Sequence, residues 1–284
     1  MTVHVAAYAK LNLFLTVCGE RQDGFHEIHS LVQTIHLADY LAVSLAPDLR
    51  VSCSVDLGGI NIVETAVRRL LREKGTSTCV HIWIDKRIPI GAGLGGGSSD
   101  AAAALGVVNR MIPPLVSQSR LAEIAGSIGA DVPLFLSGGC IELEGLGHPI
   151  RRLTVRDETF VVLVPDVQCL TRDVYEAWQI GETSACREKL GHNDLLAAAI
   201  RLHPELACVS QRMSQLNGLY SGMTGSGSAF FTAFATALEA ERACERLAGQ
   251  QLGGRVYYCQ PTKLGFVEIP DTELSEPDDS EWRR

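Results

Sequence analysis

One stretch of this chain concentrates the residue types that can do chemistry: Pro89-Ile90-Gly91-Ala92-Gly93-Leu94-Gly95-Gly96-Gly97-Ser98-Ser99. Five of these eleven residues are glycine, and an alanine-rich run follows at once. Glycine has no Cβ, so it takes positive φ readily and lets backbone N–H groups converge. A helix starting directly after such a loop adds its own unpaired N–H groups and the positive end of its dipole. The combination predicts an anion site, most simply for phosphate. Ser98 and Ser99 can cap the helix, bond a phosphate oxygen or hold a metal-bound water. A flexible linker is the plain alternative, but linkers lack the apolar run before the loop and the helix former after it.

The common phosphate loops differ from this one. A P-loop needs lysine after its last glycine, and none lies between Arg87 and Ser99. Gly91, Gly93 and Gly96 spell Gly-x-Gly-x-x-Gly, yet Pro89 interrupts the approach and a loop with Pro113-Pro114 stands where a dinucleotide fold wants its second strand. The valine, His-Arg-Asp and Asp-Phe-Gly of protein kinases are missing.

Four further groups could act with the loop. Lys10 and Asn12 share one face of an alternating strand, where a lone lysine is otherwise a snorkelling surface residue. Phe25 and His26 follow Asp23-Gly24, either as a plain hairpin tip or as a stacking face and a hydrogen-bonding edge for a nucleobase. Asp131 sits among apolar residues, before a proline that disfavours helix at Val132, and is either a cap or a buried functional acid. Burial would raise its pKa and a nearby lysine would lower it. A Lys–Asp pair beside a phosphate loop is a suitable base for an alcohol. The second glycine cluster, 221–228, is either a tight turn or another anion-binding or loop-supporting element.

The elements that must position these groups are mixed. Strands are expected over 2–18, 29–37, 41–55 and 79–85, and a helix runs from its cap Asn61, with Glu64 closing a capping box, to Gly75. Helices are expected over 99–109 and 119–128, then a hairpin and linker over 138–149. A new strand at 160–164 places a boundary near 155. Thr171 caps a helix, 184–192 is a polar loop, and helices follow over 193–200, 204–216 and 236–249. Strands are expected over 229–235, 255–259 and 266–269. Strands followed by helices argue for an α+β fold rather than a doubly wound sheet.

Composition narrows the function classes. With 46% hydrophobic and 20% charged residues the chain is a soluble globular protein. A net charge of −8 without a basic run disfavours nucleic acid. No apolar run approaches the roughly 18 residues of a membrane span, and the N-terminus reads as a strand without a targeting pattern. Nine scattered cysteines without a Cys-x-x-Cys pair imply free thiols in a reducing, cytoplasmic compartment and no zinc cluster. No residue is assigned as a metal ligand.

Three separated motifs stand together: Ala9-Lys10-Leu11-Asn12-Leu13, the loop 89–99, and Met223-Thr224-Gly225-Ser226-Gly227-Ser228. Over roughly residues 3–270 the chain resembles the GHMP family of small-molecule kinases. Arg21-Gln22-Asp23-Gly24-Phe25-His26-Glu27 and Gly129-Ala130-Asp131-Val132-Pro133 bring it nearest the branch whose alcohol substrate is a cytidine diphosphate-linked methylerythritol. The resemblance implies a two-domain GHMP kinase fold with the active site in the cleft, ATP and Mg²⁺ as cofactors, and a monomer or weak homodimer. The domains would be 1–155 and 156–270, with a disordered acidic tail over 271–284. It implies that Lys10 and Asp131 are the catalytic pair and that Pro89, Ile90, Gly91, Ala92, Gly93, Leu94, Gly95, Gly96, Gly97, Ser98 and Ser99 hold ATP, with Asn61 and Lys86 near the nucleotide. Asn12, Phe25, His26, Thr171 and Tyr175 would meet the substrate. Two departures stand out: Phe25 replaces the commoner tyrosine, keeping stacking but losing a hydroxyl, and no acidic residue stands in Gly58-Gly59-Ile60 before Asn61. Rival readings are a sister kinase for homoserine or mevalonate-type alcohols, which have no base to grip, and a nucleotide sensor without catalysis.

Overall fold

Two long strands carry the architecture. The computed structural model of the chain describes residues 2–56, 58–59, 61–178, 188–248 and 253–270. Strand β1 spans Thr2–Glu20 and β2 spans His26–Ala46, paired antiparallel along their lengths. The strands expected separately over 29–37 and 41–55 are thus one strand and a short β3, Arg50–Cys53. The break expected between them, over 38–40, contains Asp39. Asp39 is instead fully buried, because backbone and lysine donors satisfy its carboxylate.

Helix α1, Ile62–Lys74, starts at Asn61, whose Oδ1 accepts from Val63 N at 2.9 Å, and ends at Gly75 with φ 63°. Glu64, expected to close a capping box, is engaged by Arg68 one turn on. Strand β4 spans Cys79–Asp85, and α2 spans Gly96–Met111. The expected helix 99–109 therefore begins three residues earlier, inside the glycines. Its cap is Gly95 at φ 74°, and neither Ser98 nor Ser99 caps it. Helix α3, Gln118–Gly126, is capped by Ser117. Helix α4, Val132–Ser137, includes Val132, contrary to expectation. Pro133 falls in the first turn, where its missing N–H costs nothing.

Strands β5, Cys140–Gly145, and β6, His148–Leu153, form the expected hairpin. The first sheet runs β1–β2–β4–β3, with β5 also pairing β2 and β6 pairing β5. Strand β7, Thr159–Pro165, opens a second sheet. After it come α5, Thr171–Ala177, α6, Leu196–Leu202, and α7, Leu206–Ser214. The cap of α5 is Leu170 rather than Thr171, whose hydroxyl bonds Ser226 Oγ at 3.0 Å. Strands β8, Tyr220–Met223, and β9, Phe230–Phe234, frame the second glycine cluster. Helix α8, Ala237–Ala248, and β10, Gly254–Cys259, give the second sheet the order β10–β7–β9–β8. The last strand, β11, Phe266–Ile269, pairs with β1 in the first sheet, so the expected 156–270 unit is not confined to the second. The acidic tail and residues 184–187 of the expected polar loop lie outside the described residues.

Strand β1 joins three cores. Val5 and Ala7 pack under α1 and α2, while Leu11 and Leu13 pack against Phe160 and Phe231 of the second sheet. Leu15 and Val17 reach the core containing α5 to α8. The expectation of one polar face on this strand therefore fails: residues 4–17 are all buried. Lys74, at the end of α1, donates to the carbonyls of Asn109 at 3.2 Å, Ile112 at 2.6 Å and Pro114 at 2.5 Å, fixing the end of α2. Lys74→Met would leave these acceptors without their donor. It should cost about 1–3 kcal/mol of unfolding free energy with kinetic constants unchanged. Denaturant titration beside steady-state assays checks this, and an unaltered midpoint contradicts it.

Candidate active site

The glycine loop is folded by its carbonyls. Leu94 O accepts from Lys10 N at 3.0 Å, and Ala92 O accepts from Ala229 N at 3.1 Å. Gly93 O accepts from Lys10 Nζ at 2.7 Å and Thr224 Oγ1 at 3.1 Å. Three successive carbonyls are thus tied to β1 and to the second glycine cluster. Gly91, Gly93 and Gly95 hold φ of 69°, 75° and 74°, alternating with ordinary residues. Such alternation builds a concavity of N–H groups. Ser99 N bonds Gly95 O at 2.9 Å, so the N–H groups of 96–98 precede the first helical bond of α2. The Ser99 hydroxyl is fully buried and has no partner among the described residues. Loop, helix start and orphaned hydroxyl fit the phosphates of a nucleotide.

The second glycine cluster supports the loop. A Cβ on Gly93 would lie 2.2 Å from Thr224 O, and one on Gly225 would lie 3.3 Å from Lys10 Nζ. The two turns therefore pack backbone to backbone, which only glycine allows. Asn193, read in the sequence only as the start of a helix, donates to Met223 O and Gly225 O at 2.8 Å each and holds this turn in place.

Lys10 and Asn12 form one hydrogen-bonded unit. The ammonium donates to Asn12 Oδ1 at 2.5 Å as well as to Gly93 O, leaving one of its three N–H groups. Asn12 Nδ2 donates to Ser30 Oγ at 2.8 Å, and Asn12 N donates to Thr224 Oγ1 at 3.0 Å. Most of Asn12, expected at the substrate, is thereby spent on orienting Lys10. Burial lowers the pKa of Lys10 below its ordinary 10.5, and the charge of Asp131 opposes that shift.

Asp131 precedes α4 but caps nothing with its side chain and accepts no hydrogen bond among the described residues. Its negative charge acts on both Lys10 and Tyr175. Burial first, and Asp131 second, push the Tyr175 phenol upward, so it stays neutral. Tyr175 also faces His26, with ring centroids 5.1 Å apart and 38° between planes. Trp178, which the sequence did not single out, meets His26 edge-on at 5.4 Å. Phe25 is 64% exposed at the hairpin tip. Lysine, carboxylate and aromatic cluster thus converge, with Thr171 at the neighbouring Ser226.

Asn61 and Lys86 occupy different surroundings. Asn61 lines a cavity of about 820 Å³ beside β3, β4 and α1, with Asp56 and Trp83. The start of α1 lies beside the loop, since a Cβ on Gly97 would lie 3.6 Å from Ile62. Lys86 is buried, and its ammonium is committed to Asp39 and, at 2.9 Å, to Asp100. Among the described residues no cluster of three or more His, Cys, Asp or Glu side chains is placed to hold a metal ion. Among them too, no helix is long and apolar enough to cross a membrane.

Known proteins share this arrangement. Residues 61–139 match the GHMP kinases N terminal domain and residues 179–252 the GHMP kinases C terminal domain. A 4-diphosphocytidyl-2-C-methyl-D-erythritol kinase of Desulfitobacterium hafniense is 36% identical over 260 residues, 84% of this chain and 90% of the relative. That of Gloeobacter violaceus is 32% identical over 301 residues, 97% of this chain and 99% of the relative. A crystal structure of 4-(cytidine 5'-diphospho)-2C-methyl-D-erythritol kinase superposes with a TM-score of 0.78 at 36% identity, covering 91% of this chain and 98% of the other. Homoserine kinase of Cytophaga hutchinsonii, at 18% identity and a TM-score of 0.75 over 94% and 97% of the two chains, shares the fold. With its loop, lysine and helix start in the GHMP arrangement and this identity over nearly full length, the chain belongs to the 4-diphosphocytidyl-2-C-methyl-D-erythritol kinase family of GHMP kinases.

Proposed function

We propose that the protein transfers the γ-phosphoryl group of ATP to the 2-hydroxyl of 4-diphosphocytidyl-2-C-methyl-D-erythritol, on the non-mevalonate route to isoprenoid precursors. The observation that carries this reading is the convergence of Lys10, Asp131 and the His26–Tyr175 ring pair beside a phosphate loop. A kinase for a plain alcohol has no use for that ring pair. A nucleotide sensor has no use for the lysine and carboxylate.

The residues have separable tasks. Loop N–H groups, the start of α2 and Ser99 would hold the nucleotide phosphates, and the cavity at Asn61 is the neighbouring space open to the nucleoside. Mg²⁺ bound with ATP supplies charge neutralisation at the transferring group. His26 offers a hydrogen-bonding edge and Tyr175 a stacking face to cytosine. Asp131 accepts the proton of the 2-hydroxyl, and that oxygen attacks phosphorus directly, without a phosphoenzyme. Asn12 and Gly93 O fix the Lys10 ammonium, which balances the charge that spreads over the transferring group.

The test is ADP release from MgATP with the cytidyl substrate, beside homoserine and mevalonate. Turnover with the cytidyl substrate alone supports the reading, and turnover with a control instead sinks the cytosine pocket. The buried Lys10 adds a pH dependence. Its pKa is lowered from 10.5, so its charge is lost as pH rises through a value below that of an exposed lysine. The kcat profile should therefore fall on its alkaline side before pH 10.5. A profile flat up to that pH contradicts a charged Lys10 in the reaction.

A further inference from the structure

Beneath the glycine loop lies a buried ionic cluster that the proposed reaction does not use. Asp39 on β2 is fully buried. Its Oδ1 accepts from Arg87 N at 2.6 Å and Ile88 N at 2.8 Å, the residues that enter the loop. Its Oδ2 accepts from Lys86 Nζ, which also donates to Asp100 Oδ2 at 2.9 Å. Asp100 stands in α2 just past its first turn, immediately beyond the loop. The cluster also lies directly under the helix start, since a Cβ on Gly96 would come within 3.1 Å of both Asp39 Oδ2 and Lys86 Nζ.

Two carboxylates sharing one ammonium are a poor device for attracting phosphate, because the cluster has no surplus positive charge. Burying such a group is costly unless its hydrogen bonds are well made. Asp39 makes three, all from residues 86–88 at the loop's entry, and Lys86 carries the connection on to Asp100 beyond the loop's far end. We propose that Asp39 is a positioning residue for nucleotide binding: it takes the N–H groups at the loop's entry and, through Lys86 and Asp100, the N-terminal part of α2, and so sets the separation of the loop's two ends. The converging N–H groups of residues 91–98 depend on that separation. Burial and the neighbouring Asp39 charge also push the Asp100 carboxyl well upward, which lessens the negative charge beneath the phosphate site. The inference rests on the reading of the loop as the ATP site, but the staple itself does not.

The experiment compares Asp39→Ala and Asp39→Asn with the parent enzyme. The amide acceptor of asparagine preserves the bonds from Arg87 and Ile88 while removing the charge. Three quantities are read: the Kd for ADP, the KM for ATP against that for the cytidyl substrate, and amide hydrogen exchange over 89–99 without ligand. A displacement of about 1 Å at a site can cost on the order of 10²-fold. Asp39→Ala should raise the Kd for ADP and the KM for ATP by about 10-fold to 10²-fold, leave the other KM near its parent value, and speed exchange in the loop. Asp39→Asn should recover much of the ADP affinity. ADP affinity within about twofold of the parent, or a parallel rise of both KM values with a lower midpoint of unfolding, overturns the proposal. If Asp39→Ala does not fold, Asp100→Ala, which cuts the tie from Lys86 to α2, is judged by the same exchange: faster exchange over 89–99 supports the staple and unchanged exchange overturns it. Failure of the parent itself to bind ADP would sink the nucleotide reading, and loop exchange would still decide the staple.

Discussion

Asp131→Asn should lower kcat by about 10²–10⁴-fold while leaving the KM for both substrates near normal. The amide matches the carboxylate in shape but cannot accept the hydroxyl proton. Little structural damage is expected, because the Asp131 side chain caps no helix and accepts no hydrogen bond among the described residues. A second effect follows from the same charge. Asp131 raises the pKa of Lys10 against the larger effect of burial, so its removal lets Lys10 lose its proton at still lower pH. The alkaline limb of the residual activity should therefore move down. Unchanged turnover would remove Asp131 from the role of base. Reduced turnover with an unmoved limb would separate Asp131 from Lys10.

Gly93→Ala should lower both stability and activity. The new Cβ would stand 2.2 Å from Thr224 O and 3.1 Å from Gly227 O, both of them backbone atoms. Gly93 also holds φ of 75°, which alanine adopts only under strain. Relief requires the two glycine turns to part. That movement would break the bond from Thr224 Oγ1 to Gly93 O and draw Gly93 O away from Lys10 Nζ. Overpacking of this kind costs about 1–3 kcal/mol of stability, occasionally more. The loss of activity should exceed what the fraction unfolded explains, since the same movement displaces loop and lysine together. Kinetics and chemical denaturation on the one variant measure both. A stable, active Gly93→Ala enzyme would show that the turns are not in contact during catalysis. Gly97→Ala is the natural control, because the Cβ there meets only Ile62, at 3.6 Å.

By itself the sequence determined the local chemistry. Glycine at alternate positions before an alanine run can make little else than a loop opening a helix, so that local form was legible from the chain alone. The cap Asn61, the stop Gly75 and the strand over Cys79–Asp85 were legible for the same reason: each depends on neighbours in the chain. Lys10, Asp131, His26 and Tyr175 could be named from their motifs, but their convergence could not be derived from spacing.

The tertiary structure decided whatever depends on long-range partners. Asp39 interrupts an apolar strand and reads as a break. Its donors, Lys86, Arg87 and Ile88, lie 47 to 49 positions away, and they make it the anchor of the loop. Lys86, which the resemblance puts near the nucleotide, is committed to two carboxylates that the sequence does not show beside it. Asn12 reads as a substrate ligand until Ser30 and Thr224 occupy it, the latter 212 residues further on. The alternation in β1 predicts one wet face, yet the second sheet and the helices cover both. Local patterns set backbone conformation through short-range sterics and hydrogen bonds. Which polar side chains are available for chemistry depends on what else satisfies them, and that is settled only when distant segments meet.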